Sequence, residues 1–345
     1  MQAQSNGNEE FDGSNPPEVS VILVTWNSRD TLSQCLEDLS RQVFKGYELI
    51  IVDNGSGDTA GLNLNELSRI FDLRIERLTS NLGFAAANNI GARLARGKWL
   101  ALLNADAFPE PDWLESLLRA ARQNPDCTAF SSRQIQYHSP GLLDGAGDAY
   151  HISGLAWRNG HNLPADKYGL EQKEIFSPCA AAALYSREEF LNLGGFDEDY
   201  FSYFEDVDLG FRLRLDGGKC LYVPEAVVRH VGSASTGKRS DFSVYYGYRN
   251  MIWTFFKDMP SPYFWLFLPL HGFAVLFFVM YLALRGQSRA ILRAVFDAVL
   301  RLPEILSKRR LIQRDIKASP RDLLRVMSNG LFEPVQEFLK RNRRA

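Results

Sequence analysis

Between residues 19 and 133, five short apolar runs rich in β-branched residues alternate with longer amphipathic stretches. That alternation leaves few folds open. Each run is long enough for a buried strand and each stretch for a crossover helix, so the pattern predicts an α/β domain around a mostly parallel sheet. The spacing places strands at 19–26, 47–52, 73–79, 99–104 and 128–133, with helices at 31–42, 62–71, 85–96 and 111–123. Pro111 falls in the first turn of the last helix, where a missing backbone N–H costs nothing. The 46% hydrophobic content of the 345 residues supports a sizeable core and excludes a disordered or collagen-like chain. With 39 Lys and Arg against 41 Asp and Glu, a polybasic nucleic-acid binder is excluded too.

In open α/β sheets ligands bind beyond the carboxyl ends of the strands. Three such edges are polar: Thr25-Trp26-Asn27-Ser28, Asp53-Asn54-Gly55-Ser56-Gly57-Asp58 and Asn104-Ala105-Asp106. No Gly-x-Gly-x-x-Gly turn follows the first strand, which removes the main support for a nicotinamide-dependent dehydrogenase. From 134 to 177 the pattern breaks into Gly- and His-containing sequence, either a substrate-shaping loop or lid, or a poorly ordered insertion. Regularity returns with a Gly194-Gly195-Phe196-Asp197 turn, a helix over 204–215 and short strands at 220–223 and 226–231. Cys35, Cys127, Cys179 and Cys220 form no Cys-x-x-Cys pair, so neither a zinc cage nor a redox dithiol is written here, and a reducing compartment is expected.

Four constellations can carry chemistry. Asp106, two residues after Asn104, puts a carboxylate at the mouth of the sheet, where it can hold a hard divalent cation bridging to a diphosphate, or cap the next helix. His230 ends an apolar run and can supply a second ligand or act as a hydrogen-bonded structural residue. Glu205, Asp206 and Asp208 crowd a helix start. Like-charge neighbours raise the proton affinity of one member while the helix dipole lowers it, so a base working near neutral pH is feasible. Asp208 also stands at i,i+4 to Arg212, the spacing of an ordinary helix ion pair. The expected division is one catalytic carboxylate, with the others supporting. Asp53 can accept a hydrogen bond from a pyrimidine ring N–H, or serve the turn it opens.

Taken in order, seven stretches resemble the family 2 glycosyltransferases, in particular their bacterial rhamnosyltransferase-like branch. They are Val19-Ser20-Val21-Ile22-Leu23-Val24-Thr25-Trp26-Asn27, Ile50-Ile51-Val52-Asp53-Asn54-Gly55-Ser56, Asn81-Leu82-Gly83-Phe84-Ala85-Ala86-Ala87-Asn88-Asn89-Ile90-Gly91, Leu103-Asn104-Ala105-Asp106, Gly194-Gly195-Phe196-Asp197, Phe204-Glu205-Asp206-Val207-Asp208 and Val228-Arg229-His230. The resemblance implies a GT-A fold with a mixed, mostly parallel sheet, a nucleoside-diphosphate sugar donor and inversion at the anomeric carbon. It implies that Asp53 contacts the donor's base, that Asp106 and His230 hold Mg2+ or Mn2+, and that Asp206 is the general base, with Glu205 and Asp208 supporting. Thr25, Asn27, Asn54, Asn81, Asn88 and Asn104 join Asp53 and Asp106 as candidate donor-binding residues. Asn104 stands where many relatives have Asp, leaving Asp106 to carry more of the charge on the metal.

The resemblance favours dTDP-rhamnose over a UDP-sugar as donor, and a glycan or polyprenyl-diphosphate-linked acceptor in bacterial cell-surface polysaccharide synthesis. Two other classes compete. A nucleotidyltransferase also uses metal and diphosphate, but no Gly-rich basic loop follows the first strand to hold a triphosphate. A non-catalytic glycan- or lipid-binding relic would not need Asp106, Asp206 and His230 together.

The ends of the chain suggest where it works. Residues 1–17 are polar, end in Pro16-Pro17 and lack the order of a signal peptide, so they are expected to form a disordered leader. Residues 18–258 are expected to form the catalytic domain, with a nucleotide-sugar half to about 133 and an acceptor half beyond. Residues 259–345 are expected to be helical, basic and membrane-associating. From 285 onward there are 15 basic and 6 acidic residues. Just before them, the apolar run 263–284 has roughly the length that spans a bilayer. A single crossing would put either the nucleotide-handling domain or the Arg-rich tail on the far side, against the positive-inside tendency. The segment is therefore expected to lie in the interface or re-enter, making the protein peripheral or monotopic at the cytosolic face of the plasma membrane. A buried helix packed on the domain is the competing arrangement.

Overall fold

A computed structural model describes residues 16–232, 240–330 and 332–342, so positions 1–15 of the expected leader lie outside the described residues. The first half follows the sequence pattern closely. Strands β1 (Val19–Thr25), β2 (Tyr47–Asp53), β3 (Asp72–Arg77) and β4 (Trp99–Asn104) run parallel in the order β4-β1-β2-β3. Helices α1 (Arg29–Ser40), α2 (Leu64–Ile70) and α3 (Phe84–Leu94) form the crossovers. β1 and β2 are apolar along nearly their whole length because both faces are covered. Val21, Leu23 and Ile51 enter one core with α1, whereas Ile22, Ile50 and Val52 enter another with α3. β3 is the sheet edge and only partly buried, which fits its charged sequence.

The second half inserts strands of opposite direction. After β5 (Ala107–Pro109) come α4 (Trp113–Gln123) and β6 (Cys127–Gln136). The irregular stretch after residue 134 is ordered: it builds β7 (Leu143–Gly145), β8 (Asp148–Tyr150), β9 (Ala156–Arg158) and β10 (Lys173–Ile175). Next are β11 (Ala182–Ser186), α5 (Arg187–Asn192), α6 (Glu205–Leu215) and β12 (Lys219–His230). β11 slots antiparallel between β4 and β6, and the main path reads β10-β12-β6-β11-β4-β1-β2-β3. The two short strands expected at 220–223 and 226–231 are one strand. Its register against β6 shifts between Val223 and Val227, so that Pro224 is absorbed in an irregularity instead of ending the strand.

Among the described residues, six helices follow: α7 (Asp241–Asp258), α8 (Ser261–Leu284), α9 (Ser288–Leu300), α10 (Leu302–Arg314), α11 (Pro320–Val326) and α12 (Glu333–Asn342). α7 is the inner one, packed on α6, α9 and α10. Its buried Lys257 pairs with Asp208 of α6 and, at 2.7 Å, with Asp197, which also takes Lys308 of α10 at 2.5 Å. α8 is long and apolar enough to cross a bilayer, yet only 17% of its apolar window is buried. Trp265, Leu266, Phe273 and Met280 stand exposed on it, and Leu292 and Phe296 do so on α9.

Candidate active site

A cleft of about 400 Å3 opens at the carboxyl ends of β1, β4 and β12. Asn54, Asn81, Asn104, Asp106, Glu205, Asp206 and His230 are among the residues that line it. Sheet register explains why residues so distant in sequence meet. β5, immediately after Asp106, pairs with the end of β12 so that His230 lies opposite Ala107, and Val231 N donates to Asp106 O at 3.0 Å. β7 pairs with β6, and β6 with β12, which brings Asp144 to the other edge of the imidazole.

The outcome is a chain of charges. His230 Nε2 faces Asp106 Oδ1 at 3.4 Å, while Nδ1 lies 2.8 Å from Asp144 Oδ2. Asp144 is also paired with Arg158. Burial works against the charged imidazole, but Asp106 and Asp144 outweigh it and push the pKa of His230 up to about 9. Burial likewise opposes an ionised Asp144, yet Arg158 and His230 hold its carboxyl well below the usual carboxylate range. The residues fit a divalent cation. Two ligands about 2.1 Å from one ion and roughly at right angles sit about 3 Å apart, close to the Nε2–Oδ1 separation. A carboxylate on the far ring nitrogen is the usual partner of a metal-bound histidine, because it fixes the tautomer. A second group of potential ligands, Asp148, Cys179 and Asp206, has atoms within 4.8 Å of one another. Burial pushes the Cys179 thiol up to about 12, and a soft sulfur suits a hard divalent cation less well than oxygen donors do.

Asp206 sits at the start of α6. Its Oδ2 accepts from Ala180 N at 3.1 Å, tying it to the entry of β11, and its Oδ1 accepts from Val207 N at 2.9 Å. Burial raises its pKa despite these bonds and the nearby Arg158. Glu205 beside it is raised much further, by deeper burial and then by the charge of Asp206. The helix starts from a strained turn: Phe201, Tyr203 and Phe204 all have positive φ, at 65°, 69° and 68°.

Other sequence-derived candidates lie elsewhere. Asp53 is buried with both carboxylate oxygens occupied: Oδ1 accepts from Ser56 and Gly57, Oδ2 from Thr59. Burial would raise its pKa, but the bonds from Thr59 and Ser56 win and lower it. Thr25 is buried and donates to Asp58 at 2.6 Å, and Asn88 Nδ2 donates to Phe84 O at 2.9 Å. Asn27 lies outside the cleft lining, between Trp26 and Ser28, which are part of it. Asp208 is fully buried, bonded to Arg212 at 2.7 Å and paired with Lys257. Sequence reasoning missed Asp144, Asp148, Trp157 and Arg158, all carried by short strands in the stretch with no recognisable period. The available signals were two Gly-containing runs, Asp144-Gly145-Ala146-Gly147 and Gly154-Leu155-Ala156-Trp157-Arg158-Asn159-Gly160.

Residues 20–190 match the family model described as Glycosyl transferase family 2. An N-acetylglucosaminyl-diphospho-decaprenol L-rhamnosyltransferase of Mycobacterium tuberculosis is 31% identical over 245 residues, covering 63% of this chain and 77% of that protein. The uncharacterized protein y4gI of Sinorhizobium fredii is 31% identical over 232 residues, 64% of this chain but 25% of its own length, so the chain spans about a quarter of that relative. Among solved structures, the mannosyltransferase PcManGT from Pyrobaculum calidifontis in complex with GDP-Man and Mn2+ matches with TM-score 0.52 at 17% identity, covering 91% of this chain and 86% of that one.

Proposed function

The chain belongs to glycosyltransferase family 2 and has the GT-A fold, and from that premise we propose that its cleft transfers a sugar, with rhamnose favoured, from a nucleoside diphosphate to a lipid-linked glycan acceptor, inverting the anomeric centre. The observation that carries this is the convergence on one cleft of Asp106 with His230 and of Asp206 with Glu205, groups about a hundred residues apart in sequence. dTDP-rhamnose as donor and a polyprenyl-diphosphate-linked acceptor in bacterial surface-polysaccharide synthesis are favoured by likeness to the mycobacterial rhamnosyltransferase. The exposed apolar face of α8 and the basic tail support work at the cytosolic face of the membrane.

In this mechanism Asp106 and His230 would hold Mg2+ or Mn2+, with Asp144 orienting the imidazole. The cation, when bound, supplies positive charge to the diphosphate as it leaves. Asn54 and Asn81, bonded to each other at 2.9 Å, form the polar lip on the donor side. Arg158 adds a fixed positive charge to the cleft wall. Asp206, in its ionised form, takes the proton from the attacking acceptor hydroxyl, which makes the oxygen nucleophilic as the new bond forms. Ala180 N holds the carboxylate in place for that step.

Purified protein given a panel of sugar nucleotides tests the reading. Release of nucleoside diphosphate from one donor, abolished by chelator and restored by Mn2+ or Mg2+, is the expected result. Release of pyrophosphate would instead mark a nucleotidyltransferase, and no turnover with any donor would mark a binding protein.

A further inference from the structure

The two glycine-containing runs at 144–147 and 154–160 build one device around Arg158. β8 and β9 form a two-stranded antiparallel sheet in which Asp148 stands opposite Arg158. Side chains directly opposite in such a pair share a face and start about 5 Å apart. Both residues line the catalytic cleft. Ala146 N donates to Asn159 O at 2.9 Å and Asn159 N to Gly147 O at 2.8 Å, which locks the segment before β8 against the end of β9. Gly147, between β7 and β8, has a φ of 74°, backbone that glycine adopts without steric cost.

Gly145 explains how the arginine is aimed. A Cβ there would lie 3.3 Å from both Cβ and Cδ of Arg158, so the bare backbone of β7 is the surface along which the arginine stem runs. The guanidinium then pairs with Asp144 through Nη1. Asp144 is itself fixed, its carboxylate by His230 at 2.8 Å and its carbonyl by His161 Nδ1 at 2.8 Å. Asp148, the neighbour of Arg158 on the hairpin, has a carboxylate oxygen within 4.8 Å of one on Asp206. Asp106, Asp148, Glu205 and Asp206 all line the cleft, and among the described lining residues Arg158 alone carries a permanent positive charge. Burial raises the pKa of Asp206, while the bond from Ala180 N and the charge of Arg158 work against it. The other titratable groups facing Asp206 are Glu205 on its own helix, Asp148 of β8, Cys179 before β11 and Tyr185 of β11.

We propose that Arg158 is a positioning residue for the transfer step: Asp144 and Gly145 hold its guanidinium beside the wall formed by Asp148 and Asp206, where its charge steadies the carboxylate of the base. Arginine suits this post because it is always charged and its planar fork stays put once one nitrogen is bonded. The arrangement also joins the two halves of the site, since Asp144 bonds the imidazole of His230 and the arginine together. The proposal rests on the glycosyltransferase reading for the step it serves, and deepens that reading by assigning a residue that acts through Asp206 and not on the donor.

Steady-state kinetics across pH test it, on the full chain with the sugar nucleotide that the donor panel identifies. In Arg158→Gln, kcat should fall roughly 10- to 100-fold, the cost of a slightly misplaced catalytic group, with the donor KM within about twofold of native. The acid limb of kcat/KM should move up by about 1 pH unit or more, as expected when a cation near a carboxylate is removed. Arg158→Lys, which keeps the charge, should return the limb to its native position. A raised donor KM with the limb unmoved would make Arg158 a donor ligand and overturn the proposal, as would a native kcat in Arg158→Gln or a limb that Arg158→Lys leaves displaced. Thermal melts confirm that each variant is folded. If Arg158→Gln does not fold, Gly145→Val applies the same test, since it keeps every charge and crowds the arginine stem. In that variant a lowered kcat at native donor KM is expected, and a native kcat overturns the proposal. Absence of turnover by the native chain with any donor sinks the transferase reading and this role with it, whereas native turnover with an indifferent Arg158→Gln sinks this role alone.

Discussion

Asp206 and Glu205 are adjacent, yet their surroundings separate them. Both are raised by burial, and the charge of Asp206 adds to the rise at Glu205. For a base, the ionised form is the active one. The prediction is that kcat/KM rises with pH through a limb above the ordinary aspartate value of about 3.9 and then levels. A pH profile with no limb above that value would count against Asp206 as base. Asp106, His230 and Asp206 could be singled out from sequence because each follows directly on a strand end or opens a helix. Asp144 and Arg158 could not, since their positions depend on β7 and β9, three-residue strands with no period to read. At Asp53 and Asp208 the sequence left two readings open, and the structure occupies both carboxylates locally, in a turn and in an i,i+4 ion pair.

The turn 201–204 and helix α7 act together. A positive φ on a bulky residue costs about 1–3 kcal/mol, and three such residues in four need support from outside. Asn250 of α7 gives it, with Nδ2 donating to the carbonyls of Tyr200 at 3.0 Å, Ser202 at 3.0 Å and Tyr203 at 2.7 Å. Arg249 adds bonds to Asp199 O at 2.8 Å and Tyr200 O at 3.0 Å. Asn250→Ala should lower stability by about 1–3 kcal/mol and reduce kcat while leaving the donor KM nearly unchanged, because it loosens the base and not the donor lip. Thermal melts and steady-state kinetics check both. Native kcat in that variant would show that the turn holds itself. Neither partner was legible: aromatic residues disfavour left-handed backbone, and nothing local in α7 announces what its asparagine holds.

Across the whole molecule, the parallel half was readable because β1, β2 and β4 are buried on both faces and helices punctuate the strands, so periodicity and boundary coincide. The second half was less so. There, antiparallel strands as short as three residues are set by pairing with distant partners, and Pro224 made one strand look like two. The same long-range pairing builds the site, by seating β12 against β5 and β11 against β4. The most direct test of that convergence measures Mn2+-dependent binding of the nucleoside diphosphate and single-turnover sugar transfer side by side, in the native chain and in Asp106→Ala and Asp206→Asn. The account predicts that Asp106→Ala loses metal-dependent affinity, whereas Asp206→Asn keeps it and transfers roughly 100- to 10,000-fold more slowly. Transfer at the native rate by Asp206→Asn, or unchanged metal-dependent binding by Asp106→Ala, would contradict it.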